Sequence, residues 1–261
     1  METAKKLIAG ERAAQKAVRP QPFMRSALNV IFPPSCVACR VELGGNQADP
    51  TFCPSCHDAI TSQGAVLCKH CGRSSPIHFS GQCGHCRKES NQFERVIALG
   101  AHRGGLRDSV VRMKHAGNHA LTAAVGNLMA ERAMATWMRE PPDLLVSVPM
   151  HWHRRVLRGR GSSHLLAEAV QARSEIPFGP DSIVCRRKTK KQSTLTVSQR
   201  KTNVRAAFAV SSVVPVAGLH VCIVDDTMTT GATMNEISRS LKQAGADEVS
   251  VLVAARAEGL R

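Results

Sequence analysis

The 261-residue chain contains no tyrosine, two tryptophans and seven phenylalanines, so aromatics make up only 3% of it. A protein that grips single strands by stacking bases on rings needs more of them. Acidic residues are also scarce: 20 Asp and Glu stand against 35 Lys and Arg, giving a net charge of +15 and a pI near 9.9. That balance suits an anionic partner, either nucleic acid or a phosphorylated small molecule, without choosing between them. No apolar run approaches the ~20 residues needed to cross a bilayer, so no membrane span is expected. The opening METAKKLIAGERAAQKAVRP has neither a central apolar stretch nor a small-residue cleavage site. It does not read as a secretory signal, and Glu2 and Glu11 count against an organelle presequence. A soluble, cytoplasmic protein is expected. At 43% apolar residues the chain can build a sizeable core, which excludes disorder along its whole length.

Cysteine is what the chain has in excess. Eight of its ten cysteines form four CxxC pairs: Cys36/Cys39, Cys53/Cys56, Cys68/Cys71 and Cys83/Cys86. Cys185 and Cys222 stand alone. A secreted disulfide scaffold fits neither the chain length nor the N-terminus, and with thiols kept reduced a metal is the better reading. Spacers of 13 and 11 residues separate the pairs within each half. A CxxC turn aims two thiolates at one point, and two such turns facing each other complete a tetrahedron that suits Zn²⁺. Two four-cysteine zinc ribbons are therefore expected, Cys36, Cys39, Cys53 and Cys56 on one ion and Cys68, Cys71, Cys83 and Cys86 on the other. Cross-pairing between halves, one site left empty, an iron–sulfur cluster and a redox dithiol are the alternatives. His57, His70, His78 and His85 lie close by, but four thiolates already fill each site. A closed site has no open position, so this zinc would be structural.

The chain divides by character. Residues 1–30 form a basic, Ala-rich N-terminal tail. Residues 31–90 carry the ribbons in Gly-, Pro- and Ser-rich sequence with too little apolar periodicity to fold without metal. Residues 93–261 alternate helical and strand patterns. Leu106, Val110 and Met113 lie at helical spacing, and Leu121 to Met138 reads as a longer helix. LLVSVP (144–149) and SIVCR (182–186) read as strands, and Ser162 or Ser163 is placed to cap a helix. VCIVDD (221–226) is the near-continuous apolar run of a strand buried on both faces. Met234, Ile237, Leu241 and Ala244 follow as a helical stripe ended by Gly245, then VSVLVAA (249–255) as the next strand. This βαβ unit predicts a parallel α/β sheet.

The chemistry concentrates in VCIVDDTMTTGAT (221–233). Ligands of open α/β sheets bind beyond the carboxyl ends of strands. There Asp225 and Asp226 run into Thr227, Met228, Thr229, Thr230 and Gly231, with Thr233 beyond. Gly231 permits the tight turn that lets N–H groups face a phosphate at a helix N-terminus. Adjacent carboxylates beside a phosphate make sense if the ligand also carries a sugar diol. No GxxxxGK[ST] occurs, and Gly159-Arg160-Gly161 lacks the third glycine of a dinucleotide fingerprint. A solvated acid pair on an ordinary strand–helix turn is the plain alternative.

The segment resembles the phosphoribosyl-pyrophosphate (PRPP) motif of type I phosphoribosyltransferases. A double zinc ribbon followed by such a domain resembles the ComF family (competence protein F and its relatives). That likeness also runs through RMKHAG (112–117), 144–167 and QSTLTVSQRKTNVRAAFAV (192–210). Gln192, Leu195, Arg200, Asn203, Val204, Ala207 and Phe208 match the family's pattern. Ser162 and Ser163 depart from its common Asn-Gln, and Gln199 from its common Glu. The resemblance implies a type I phosphoribosyltransferase-like parallel sheet behind a small Cys-rich double zinc ribbon. It implies PRPP bound with its 5-phosphate on residues 227–231 and its ribose hydroxyls on Asp225 and Asp226, the catalytic pair. Pyrophosphate would lie on the turn after residues 144–148, with His151, Arg154, Arg155, Arg158 and Arg160 as ligands, and Mg²⁺ would share its charge. RRKTKKQ (186–192) would be the loop that closes over the site. The resemblance further implies a link to DNA uptake and natural transformation, with single-stranded DNA or DNA-uptake proteins as partners.

A competing reading is a non-catalytic competence factor that grips DNA or a partner protein and only senses PRPP. The charge favours the small molecule: 11 basic against 6 acidic residues fall in 1–92, and 24 against 14 in 93–261. A dedicated DNA-binding ribbon should hold more than a third of the excess.

Overall fold

The computed structural model describes residues 33–44, 51–62, 67–75, 83–86, 91–115, 117–150, 160–187 and 196–257. Expectations for the tail 1–30, for residues 151–159 and for most of 186–192 lie outside them.

The core is a parallel sheet, as the apolar runs predict. Its strands are β1 (Arg95–Ala101), β2 (Leu144–Ser147), β5 (His220–Met228) and β6 (Glu248–Arg256), in the spatial order β1-β6-β5-β2. Every neighbouring pair in this sheet is parallel. Val221, Cys222, Ile223 and Val224 are fully buried, because helices cover both faces. One face carries α2 (Gly104–Met113), α3 (His119–Trp137) and α4 (Ser162–Ser174). Their Leu106, Val125, Met129 and Leu166 pack with Leu145, Cys222, Val224 and Leu252. On the other face Met234, Ile237 and Leu241 of α6 (Ala232–Gln243) meet Val221, Ile223, Val249 and Val251. Met234, Ile237 and Leu241 of the predicted stripe form the buried face of α6, whereas Ala244, its fourth member, is exposed at the C-cap because the helix ends at Gln243 and Gly245 follows at φ 92°. Truncating a residue at the centre of this layer, Ile223→Ala, is expected to cost about 2–5 kcal/mol, read as a lowered urea midpoint with unchanged slope.

SIVCR forms β3 (Ile183–Cys185), but outside the parallel sheet. It pairs antiparallel with β4 (Phe208–Val210). Between them α5 (Val197–Val204) begins at Thr196, whose hydroxyl accepts from the Gln199 N–H while the Gln199 side chain accepts from the Thr196 N–H.

The cysteine region is built onto this domain. Each half's first CxxC turn is closed by an antiparallel bridge, Ser35–Glu42 and Leu67–Ser74. A short helix, α1 (Pro54–Thr61), follows Cys53, and its Ile60 is buried in the same apolar cluster as Leu106 and Leu252. The Arg112 side chain on α2 donates to the carbonyls of Ala38 and Val37. The second knuckle sits on the sheet's edge, where the Val96 N–H of β1 donates to the Lys69 carbonyl at 2.8 Å. These contacts tie the ribbons to the main domain through shared core burial and backbone hydrogen bonds. No described helix is long and apolar enough to cross a membrane.

Candidate functional site

The four sulfurs of Cys36, Cys39, Cys53 and Cys56 gather within 4.8 Å of one another, as do those of Cys68, Cys71, Cys83 and Cys86. Sulfur separations of 3.7 Å for Cys39–Cys53, 3.5 Å for Cys71–Cys83 and 3.8 Å for Cys68–Cys86 match the ~3.8 Å edge of a tetrahedron with Zn–S near 2.3 Å. The pairing is the one read from the spacing, each half of the region closing its own quartet. Two thiolate quartets of this geometry fit two structural zinc ions.

The acid pair sits at the carboxyl end of the sheet, inside strand β5, as the 221–226 run predicts. Ladder pairing continues through Thr227–Ala255 and Met228–Arg256, so the strand reaches Met228 before the chain turns. Gly231 at φ 83° makes that turn and occupies the N-cap of α6. Gly231 has no side chain with which to cap the helix, and the Ala232 N–H makes a long 3.4 Å contact with the Thr230 hydroxyl. Its first turn presents N–H donors at the positive end of the helix dipole. The Thr227 hydroxyl is buried and without a hydrogen-bond partner among the described residues. An open cleft of about 580 Å³ lies at the Thr230–Ala232 end of this loop, lined also by Asn235, Glu236, Thr202 and Arg205 but not by Asp225 or Asp226.

Three side chains hold the carboxylates. The Ser162 hydroxyl donates to Asp226 Oδ2 at 2.5 Å, and the Ser163 hydroxyl donates to Asp225 Oδ1 at 2.6 Å. Lys114 Nζ lies 3.1 Å from Asp226 Oδ1, and the Asp226 N–H donates to Asp225 Oδ1 at 2.8 Å. Burial, and after it the neighbouring Asp226 charge, raise the Asp225 pKa to about 7, against the Ser163 hydroxyl, the Asp226 N–H and Lys114. His102, beyond the end of β1, is held below its ordinary pKa by burial and then by Lys114 and Arg107, against the pull of Asp226. The serines are not caps: Gly161 takes the N-cap position of α4 with no side-chain bond, which frees both hydroxyls for the acids.

Arg160 is the described member of the expected pyrophosphate set, and from just before α4 it pairs with Glu168 of that helix at 2.6 Å. His151, Arg154, Arg155 and Arg158 lie outside the described residues. Lys114, His102, Ser162 and Ser163 join the site although no ligand motif marks them. The sequence signals for them are the Ser-Ser departure and, for Lys114, its place in the RMKHAG segment; the serine contacts span 62 and 64 positions.

A family model described as "Double zinc ribbon domain" matches residues 27–88, and one described as "Phosphoribosyl transferase domain" matches residues 160–260. Competence protein F of Haemophilus influenzae is 29% identical over 227 residues, covering 85% of this chain and 96% of that protein. DNA utilization protein YhgH of Salmonella typhimurium is 30% identical over 222 residues, covering 84% of this chain and 95% of that protein. Competence protein ComFC of Bacillus subtilis is 25% identical over 209 residues, covering 76% and 80%. The parallel sheet, the Thr-rich turn and the double ribbon thus agree with the phosphoribosyltransferase-like fold class expected from the sequence.

Proposed function

Because the chain belongs to the competence protein F (ComF) family, we propose that it binds PRPP with Mg²⁺ at the carboxyl end of its sheet and serves the handling of incoming DNA. The observation that carries the reading is a pair of carboxylates, fixed by Ser162, Ser163 and Lys114, next to a Thr-lined turn that opens onto an uncapped helix N-terminus. The 5-phosphate would take the N–H groups of residues 229–232 and the Thr227, Thr229 and Thr230 hydroxyls. The ribose hydroxyls would donate to Asp225 and Asp226, which also face the positive charge that develops at C1 as the C1–O bond to pyrophosphate breaks. His151, Arg154, Arg155, Arg158 and Arg160 would receive the departing pyrophosphate, Arg160 after leaving Glu168. Mg²⁺, a hard cation that keeps its waters, would neutralise part of the pyrophosphate charge. Lys114 bridges now to Asp226 and would turn toward an incoming anion. Residues 1–30, 31–90 and 93–261 are proposed as tail, ribbon pair and binding domain.

Calorimetric titration of the zinc-loaded protein with PRPP and Mg²⁺ tests this. Saturable binding, at least tenfold tighter than ribose 5-phosphate, is expected, and an acceptor screen read by pyrophosphate release then separates turnover from sensing. Absence of PRPP binding, together with steep salt-dependent binding of single-stranded DNA that ribbon substitutions abolish, would replace the small-molecule reading with the DNA-grip reading.

A further inference from the structure

Arg256, the last residue of β6, is a fully buried arginine at 1% exposure. Its position is between strands: it lies in register with Met228 of β5 on one side and Ala101 of β1 on the other. The side chain reaches in two directions. Nε donates to the carbonyl of Cys71, a member of the second thiolate quartet, at 2.8 Å. Nη1 donates to the carbonyl of Met228 at 2.8 Å, to that of Thr229, and to that of Ala257 at 2.8 Å. One planar guanidinium therefore joins the metal knuckle to the first residues of the Thr-rich turn. A lysine, with a single point of attachment, spans such opposed acceptors less well.

The knuckle is fitted closely around this arginine. Gly72, at φ 68°, has no room for a side chain, because an added Cβ would lie 2.8 Å from Val96 Cγ1 and 3.3 Å from Arg256 Cδ. Gly72 also donates its N–H to the Cys68 carbonyl at 2.7 Å, so the residue against Arg256 is part of the loop that the metal shapes. On the sheet side, the Val96 N–H donates to the Lys69 carbonyl and the His70 ring bonds the Glu94 carbonyl at 3.2 Å. These bonds couple the knuckle to the edge of the sheet.

We propose that Arg256 is a positioning residue through which the second thiolate quartet sets the shape of the phosphate-binding turn, so that metal occupancy of the ribbon controls affinity for the sugar phosphate. This rests on the PRPP reading above. With the knuckle held by metal, the Cys71 carbonyl fixes the guanidinium, and the guanidinium fixes the Met228 and Thr229 carbonyls. The N–H groups of the peptide units that follow then point outward to the ligand. With the metal gone, the Cys71 carbonyl moves and the turn loses its anchor. The first quartet is tied instead to Arg112 on α2, away from this turn.

The test uses the full zinc-loaded chain. Arg256→Met is expected to keep both zinc equivalents and weaken PRPP binding by tenfold or more, and Arg256→Lys to recover part of the loss. In the wild-type protein, stripping zinc is expected to speed amide hydrogen exchange in the peptide covering residues 226–235 by at least tenfold. The speeding at 226–235 should exceed that in the peptide of α3. Unaltered PRPP affinity in a folded, zinc-replete Arg256→Met protein overturns the proposal, as does unaltered exchange at 226–235 after zinc removal. Should the wild-type chain fail to bind PRPP at all, the ligand reading falls, while the exchange measurement still decides the linkage between knuckle and turn.

Discussion

Replacing Asp225 and Asp226 together by asparagine is expected to weaken PRPP binding by roughly 100-fold or more. In the proposed complex each carboxylate would accept from a ribose hydroxyl, and a hydrogen bond to a charged group contributes about 1.5–3 kcal/mol. Two of them amount to a factor on the order of 10² to 10⁴. Asparagine conserves shape, so the Ser162 and Ser163 hydroxyls keep an oxygen to donate to and the fold stays intact. The same change has an opposite effect on stability. The folded-state pKa of Asp225 is raised to about 7 by burial and by Asp226, above an unfolded value near 3.9. The native state then holds a proton that the unfolded chain has released, so Asp225 costs stability increasingly as pH rises from about 4 to 7. Asp225→Asn removes that cost. Its Tm should exceed that of the wild type at pH 7 and approach it below pH 4, while its PRPP affinity falls. Thermal scans across that pH range alongside calorimetry read both effects.

Loss of zinc is the second large effect. Structural four-thiolate zinc sites contribute on the order of 10 kcal/mol of apparent binding free energy, and the ribbon region has little else of its own. Substituting Cys68 and Cys71 by serine, or chelating the native protein, is expected to lower the Tm by more than about 10 °C and to raise proteolysis within residues 31–90. The damage should reach the main domain, because Ile60 is buried in the same cluster as Leu106, and Lys69 hydrogen-bonds the edge strand. Elemental analysis of the untreated protein should return two zinc equivalents. One equivalent, or iron, contradicts the double-ribbon assignment.

Much of this architecture is visible in the chain because it is written locally. The CxxC pairs announce metal sites by their spacing, and the structure closes each half's own quartet. VCIVDD and VSVLVAA are apolar on nearly every position because both faces of a parallel strand are covered, and Met234, Ile237 and Leu241 mark the buried face of α6 by their period. What stays concealed is long-range. The apolar pattern ends β5 at Asp226, but ladder pairing to β6 carries the strand on to Met228, and no feature of the segment itself fixes that length. RVIALGA (95–101) has the apolar run of a buried strand, yet its place beside β6 depends on topology. Ser162 and Ser163 have the composition of helix caps. Only the approach of α4 to β5 turns them toward the aspartates. Lys114 reaches Asp226 from a different helix, and Arg256 reaches Cys71 across 185 positions; side chains that far apart leave no periodic trace.

The most direct test is a crystal structure of the zinc-loaded protein grown with PRPP and Mg²⁺. The 5-phosphate is predicted to lie on the amides of residues 229–232, with the ribose hydroxyls within hydrogen-bond distance of Asp225 and Asp226. A sugar phosphate lodged elsewhere, with the two aspartates still engaged only by Ser162, Ser163 and Lys114, would contradict the account.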